Sequence, residues 1–473
     1  MNIKVFRETN FKDTELGLLP EEWQVVRLGE VATQRKRFIT VKETVSYMRP
    51  TIKLRGQGMV LRDIVLGSSL KSKKQQVCRA HDLVVAEIDA KLGGFAVVPP
   101  SLDGAILSSH YFVFELHKEK IVPEFVSYLV KLPLLQRQVE ARGSTNYASV
   151  RPSQVVNYLI PLPPLPEQRA IAYVLRTVQE AKRATERVIA ALRDLKKSLM
   201  RHLFTYGPVP ISDVGAQHAA PLQDTEIGPI PAHWQVVRLG DLVAKGDIWL
   251  KNGFAHGGHN QAKSGVPHLR PFNITNTGEI TLAQVKYVPP PTDESSYWIL
   301  PGDIIFNNTN SEELVGKTAY FGLDGKFVFS NHMTLIRVLS DDLNAYWLSK
   351  YFHWLWSQRV FQGLCRRHVN QASIGLERLQ QVIIPLPPLP EQQEIARILR
   401  AVDGRIQAEE AYARALDDLF KSLLHELMSG RLRVVPDSVA QSAVGARHRL
   451  APMLPTSSEL FASPMVEETK DTG

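Results

Sequence analysis

Two long stretches of the chain carry an apolar residue at every third or fourth position. In the first, Ile171, Val178, Thr185, Leu192 and Leu199 fall on one stripe, and Val174, Ala181, Val188, Leu195 and His202 fall on a second. In the other stretch, Ile395, Ile398, Val402, Leu416, Leu419 and Leu423 fit the same frame, with Arg405, Glu409 and Tyr412 in its weaker middle. A seven-residue apolar repeat of this length predicts coiled-coil packing. The 39 residues from Glu167 to Thr205 would make a helix about 58 Å long. Helices of that length overhang a small domain, so the two are expected to pack on each other. Gly404 is expected to interrupt the second.

Each stretch opens on the same nine letters, IPLPPLPEQ, at Ile160–Gln168 and again at Ile384–Gln392. Closely spaced prolines fix φ and hold the preceding residues out of the helical region, which predicts a stiff, extended strut. Pro166 fits the first turn of the helix that follows, where its missing N–H costs nothing, and Glu167 complements the helix dipole there.

The repetition extends beyond the strut. DTELGLLPEEWQVVRLGEV (Asp13–Val31) returns as DTEIGPIPAHWQVVRLGDL (Asp224–Leu242), identical at 12 of 19 positions. That offset is 211 residues, against 224 for the proline motif, so the second copy has gained 13 residues between the two landmarks. AILSSHYFVFEL (Ala105–Leu116) and FVFSNHMTLIRV (Phe327–Val338) alternate apolar and polar residues as strands do, and each carries a His, His110 and His332. HDLVVAEI (His81–Ile88) parallels PGDIIFNN (Pro301–Asn308), and NYASV (Asn146–Val150) parallels NQASI (Asn370–Ile374).

The pattern predicts a tandem repeat of mixed α/β (α+β) domains, each followed by one long helix, with the two helices packed on each other as a coiled coil. The expected division is residues 1–160, a first globular domain; 161–206, strut and first helix; 207–384, a linker and second globular domain; 385–433, strut and second helix; and 434–473, a disordered tail without periodicity. The framework agrees between copies, but RGQGMVLRDIVLGSSLKSKKQQ (Arg55–Gln76) has no recognisable match in HLRPFNITNTGEITLAQVKYVPP (His268–Pro290). One scaffold with divergent loops predicts two related surfaces that read different things.

Composition narrows the choice. The 473 residues carry a net charge of +8 with a pI near 9.3, a mild preference for a polyanionic partner. No apolar run reaches the roughly 18 residues of a membrane helix, and the start has no signal-peptide core. Two distant cysteines, Cys78 and Cys365, argue for a reducing compartment, the cytoplasm.

Catalytic motifs are near-misses. SEELVGKT (Ser311–Thr318) ends like a phosphate-binding loop, but Ser311 stands where the first glycine belongs, and a turn followed by a strand is expected. HGGH (His256–His259) lacks further ligands at zinc spacing and reads as a turn. Asp82, Asp89 and Lys91 loosely match a metal-dependent nuclease arrangement that the second copy does not repeat. A stand-alone nuclease therefore stays open as an alternative, as does a coiled-coil scaffold with no role on DNA.

The doubled PLPPLPEQ with Ile171–Ala172 and Ile395–Ala396 downstream, LPEEWQVVRLGEV, and GDIIFNNTNSEELVGKTA (Gly302–Ala319) resemble the DNA specificity subunit of type I restriction–modification systems. The resemblance spans about Phe11 to Arg433. It implies a non-catalytic, phage-defence subunit whose two target recognition domains each read half of a bipartite sequence in double-stranded DNA. The two helices, packed as an antiparallel coiled coil with pseudo-two-fold symmetry, would set the unread gap. Two methyltransferase subunits and nuclease/translocase subunits would dock on it, and S-adenosylmethionine, ATP and magnesium would belong to those partners, with no cofactor or metal on this chain.

Under that reading, DNA contacts come from loop residues with long donors. In the first domain these are Arg35, Lys36, Arg37, Lys71, Lys73 and Lys74, with Arg142, Ser144, Asn146 and Tyr147 in the RGSTNY loop. In the second they are Arg270, Asn273 and Asn276, with Arg366, Arg367, His368 and Asn370 in CRRHVNQ. Assembly is expected of the two struts, through Pro163, Pro164, Leu165, Glu167 and Gln168, and Pro387, Pro388, Leu389, Glu391 and Gln392.

Overall fold

The proline motif folds as an extended arm, and it is also a strand. Leu159–Leu162 pairs antiparallel with Gln24–Arg27, and Ile383–Leu386 pairs in the same way with Gln235–Arg238. A two-stranded sheet tolerates Pro161 and Pro385 because each strand keeps one unpaired edge. The helices launched from these arms run Leu165–Tyr206 (42 residues) and Leu389–Met428 (40 residues). The computed structural model describes residues 2–139, 149–209, 221–258, 263–291 and 294–437.

Contacts divide the chain into two compact units, 1–183 with 414–473 and 184–413. Each therefore holds one globular domain and part of both long helices. In the first unit a four-stranded antiparallel sheet has the order Phe95–Val97, Leu83–Ala86, Tyr111–Leu116, Ala32–Arg35. Its core face, with Val85, Phe95 and Phe114, packs with Phe125 and Leu129, with Ile171 and Leu175 of the first helix, and with Leu424 and Leu427 of the second. In the second unit the order is Thr318–Tyr320, Ile304–Asn307, Met333–Val338, Ile248–Asn252, the same arrangement of equivalent strands. Phe306, Ile336, Trp347 and Phe352 pack there with Leu203 and Phe204 of the first helix and Ile395 and Leu399 of the second.

Within each unit the helix segments run antiparallel. In the first, Lys182 pairs with Asp417, while Glu167 at the start of one helix meets Arg433 just past the end of the other. In the second, Arg193 meets Glu410 and Lys196 meets Asp403, at 2.6 and 2.5 Å.

The buried stripe differs from the apolar one by a residue. The first stripe holds, but the second consists of Leu175, Ile189, Lys196 and Leu203, with Lys182 half-buried in line with them, whereas Val188 and Leu195 are 42% and 47% exposed. The second helix shows the same shift, with Leu399, Ile406 and Leu427 buried and Leu419 46% exposed. The reason is charge. Lys182 and Lys196 occupy seam positions because Asp417 and Asp403 neutralise them, and a count of apolar residues cannot register an inward-facing ion pair. Gly404 does not interrupt its helix: it faces open space on the exposed side, and the backbone runs through it.

A strand near each end of the described chain closes the first unit. Ile3–Arg7 pairs antiparallel with Leu432–Pro436. From that ribbon Arg433 reaches three carboxylates, those of Glu8, Glu22 and Glu167, and stacks near Trp23. Cys78 and Cys365 are free and buried. Among the described residues no helix is long and apolar enough to cross a membrane. The tail from residue 438 onward lies outside the described residues.

Candidate nucleic-acid interface

In the second unit, Arg366–Arg367 and Ala372–Ser373 form a short antiparallel hairpin, extended by Thr309–Asn310 into three strands. Its tip presents Arg366, Arg367, His368 and Asn370 to solvent around Val369, which is 100% exposed. Glu312 steadies Arg367 at 2.7 Å, and Ser373 lies 3.0 Å from the His368 ring. These four expected contacts are thus brought together on one projecting finger.

The other expected residues of this domain divide. Asn276 is exposed, with its carbonyl oxygen 3.4 Å from the Lys317 ammonium. Arg270 is half-buried and donates to the His256 carbonyl oxygen. Asn273 is fully buried, its amide donating to the Thr281 and Gln284 carbonyls and its oxygen accepting from the Arg270 N–H. That is a structural asparagine: every polar atom serves its own loop, and its assignment to DNA contact is withdrawn.

In the first domain Arg35 and Lys36 are exposed at the end of the sheet strand Ala32–Arg35. Arg37 is half-buried, and its guanidinium bridges Asp82 and Glu115 at 2.6 and 3.0 Å. It is spent on holding the fold. Lys71 and Lys74 are exposed, Lys74 lying over the Phe38 ring, and Lys73 donates to the Gly67 carbonyl. Arg142, Ser144, Asn146 and Tyr147 lie outside the described residues.

The same geometry removes the catalytic near-misses. Asp82 is buried against Arg37 and accepts from the Arg79 N–H, and burial lifts its carboxyl above the usual range. Its repeat partner Asp303 is likewise buried, paired with Arg337 and accepting from the Leu300 N–H. Asp82 directly precedes the strand Leu83–Ala86 and Asp89 lies three residues past its far end, and among the described residues no group of three or more His, Cys, Asp or Glu side chains could hold a metal ion. The nuclease alternative is therefore not supported. Lys317 of the loop-like motif is buried and donates to the Ile274 carbonyl at 2.6 Å, with the strand Thr318–Tyr320 following. His256 is half-buried, and His259 lies outside the described residues.

The struts show what the repeated Glu–Gln pair does. Gln168 accepts from the Val122 N–H and donates to the Lys120 and Pro163 carbonyls. Gln392 repeats all three bonds, accepting from the Asn344 N–H and donating to the Asp342 and Pro387 carbonyls. The Trp23 indole donates to Glu167 at 3.0 Å and the Trp234 indole to Glu391 at 2.8 Å. Pro163 and Pro387 are buried, Leu165 and Leu389 half-buried, and Pro164 and Pro388 exposed. The motif is a latch that fixes each helix to its domain, and in the sequence the two tryptophans show only as repeated letters of QVVRLG-containing segments.

A cluster that the sequence did not disclose joins both helices to the second domain. Lys350 donates to Asp403 and Glu279 at 2.8 and 2.9 Å, and Lys196 meets the same two carboxylates. Burial alone would raise the Asp403 carboxyl, but Lys350 and Lys196 outweigh it and hold it below the ordinary carboxylate range.

A family model described as "Type I restriction modification DNA specificity domain" matches residues 20–193 and 231–415. The chain is 25% identical over 456 residues to the putative type I restriction enzyme MjaX specificity subunit of Methanocaldococcus jannaschii, covering 91% of this chain and 99% of that one. It is 21% identical over 449 residues to the type I restriction enzyme EcoKI specificity subunit of Escherichia coli K12, covering 88% and 90%. Among solved structures, the type I restriction-modification S subunit from M. genitalium has the same fold, with a TM-score of 0.52, 13% identity and coverage of 86% and 96%. So does a chain from a study of assembly and conformational transition of the type I R-M system, with a TM-score of 0.51, 24% identity and coverage of 87% and 98%. The family model spans both globular domains and much of both long helices, and the chain belongs to the type I restriction modification DNA specificity domain family.

Proposed function

We propose that the chain is the non-catalytic DNA recognition and assembly subunit of a type I restriction–modification complex. Each globular domain reads one half of a bipartite target, and the two long helices hold the halves at a fixed unread gap. The carrying observation is the duplicated latch. Two domains of the same strand order launch their helices through the same Trp–Glu bond and the same three glutamine bonds, while their exposed loops diverge.

The residues proposed to contact DNA are Arg35, Lys36, Lys71, Lys73 and Lys74 in the first domain. In the second they are Arg270, Asn276 and the finger residues Arg366, Arg367, His368 and Asn370. Their chemistry supports this: cationic side chains bind phosphates and guanine edges, and an amide can pair with adenine. Assembly with two methyltransferase subunits, and through them restriction subunits, is assigned to the strut and helix regions. Glu167, Gln168 and Gln392 act from inside by fixing the helix angle, leaving Pro164 and Pro388 as the exposed part of the motif. Methyl donor, ATP and magnesium belong to the partners, and cytoplasmic DNA is the target.

The test is to co-express the chain with its methyltransferase partner and sequence the host genome with a method that detects methyladenine. One bipartite motif with a constant gap is expected. Absence of any motif while both subunits are made in soluble form would sink the proposal.

A further inference from the structure

The least expected element is a two-stranded ribbon in the first domain, Ser46–Lys53 paired antiparallel with Gly58–Leu66. Its register slips between Arg49 and Pro50: Arg49 faces Asp63 and Pro50 faces Leu61, so Arg62 is the extra, unpaired residue of a bulge. Bulges of this kind bend a strand and re-aim one side chain. Ile52 and Met59 turn inward onto the core around Val84 and Val113. Along the same strand Ile64 is 60% exposed, Leu66 46% and Leu61 45%, and the Arg62 side chain is 53% exposed, 3.4 Å from the Asp63 carboxylate.

The ribbon is held at both ends. At its tip the Arg55 and Gly56 N–H groups donate to the Leu92 and Gly93 carbonyls, and any side chain at Gly56 would meet the Val130 carbonyl oxygen at 2.3 Å. At its base the Gly67 N–H donates to Val45 at 2.8 Å. An apolar surface anchored at both ends and left bare is a docking surface. Its charge identifies the occupant. Between Lys42 and Lys74 lie eight Lys or Arg against Glu43 and Asp63, a balance of +6, compared with +8 for the whole chain. A second copy of so basic a surface would be repelled, whereas a polyanion would be drawn in.

We propose that this ribbon enters a groove of duplex DNA, with Arg62 at a base edge and Ile64 and Leu66 against thymine methyl groups. The major groove admits a two-stranded β-ribbon, arginine is the commonest reader of guanine, and thymine presents a methyl group there. No ribbon of this length is found among the described residues of the second unit, so the device belongs to one half-site. The inference rests on the DNA-reading role proposed above.

The experiment compares the methylated motif made by the complex carrying the unaltered chain, Arg62→Ala, Arg62→Lys and Ile64→Ala, with duplex binding measured on the same purified complexes. Arg62→Ala is expected to weaken binding about tenfold or more and to relax one base position in one half-site, leaving the gap and the other half intact. Arg62→Lys keeps the charge, so it should keep most of the affinity but lose base discrimination. Ile64→Ala should lower preference for a thymine in the same half. Unchanged motif and affinity in all three variants would overturn the inference while leaving the general reading in place. Loss of the methyltransferase subunit from the variant complexes would also overturn it, because the ribbon would then dock protein. If the unaltered chain directs no bipartite motif, the general reading fails and takes this one with it.

Discussion

At the scale of single residues, buried polar groups carry the specificity of the fold. Gln168 and Gln392 are fully enclosed, and each closes three bonds to main chain that nothing else satisfies in the same way. Replacing Gln168 by Ala strands the Val122 N–H and two carbonyls in a dry site. The expected loss is about 1–3 kcal/mol of stability in urea unfolding, and an undiminished midpoint would refute the latch. Asp403 is a stronger case. Asp403→Asn leaves two buried lysines facing only Glu279, which is expected to cost about 3–5 kcal/mol. The pH dependence follows from the sign of the shift. The folded-state carboxyl lies below its unfolded value of about 3.9, so its contribution is complete above that value and disappears as pH falls through the folded one. The stability gap between the unaltered protein and Asp403→Asn, followed from pH 7 downward, should stay wide to about pH 5 and narrow below pH 4. A gap that widened in acid would contradict this reading.

At the scale of elements, the helices, their proline entrances and the duplicated sheet strands were legible because they rest on periodicity and repetition. The exact seam was not. Apolar counting favoured Val188 and Leu195, but the seam belongs to Lys182, Ile189 and Lys196, since opposed carboxylates admit charge to a helix interface. Nor was the Ser46–Leu66 ribbon legible, because its bulge breaks the two-residue alternation by which strands are recognised. Among candidate contacts, exposed Arg366 and buried Asn273 look alike as letters; only the loop around each distinguishes them. Gly404 offers a direct check of helix continuity. It is solvent-facing with nothing near its missing side chain, so Gly404→Ala should stabilise by up to about 1 kcal/mol in thermal or urea melts. If the helices act as a spacer, deleting four residues from one shortens it by about 6 Å. The methylated motif should then lose roughly two base pairs of gap, at about 3.4 Å each, and an unaltered gap would rule the spacer role out.

At the scale of the whole molecule, two domains with one architecture and separate surfaces predict separable phenotypes. Replacing Arg366 and Arg367 together by Ala should alter or relax one half of the methylated motif and leave the other half and the gap unchanged. Genome-wide methylation would detect this directly, and a change in both halves would mean that the domains do not read independently. The mild positive charge of the chain, uninformative as a total, becomes informative once most of it is traced to the 42–74 segment of one domain.

The pairing of Ile3–Arg7 with Leu432–Pro436 has a consequence for synthesis. Unit 184–413 is one uninterrupted run, so every contact it needs has left the ribosome once residue 413 has emerged. The first-made domain has no such independence. It waits for the second helix to return Leu424 and Leu427 to its core, and for Arg433 to reach Glu8, Glu22 and Glu167. Until then Glu8, Glu22 and Glu167 lack the one cation that joins them in the finished unit. The domain translated first is therefore the one completed last, and a ribosome that stalls before residue 433 releases a chain with a finished second unit and an open first one.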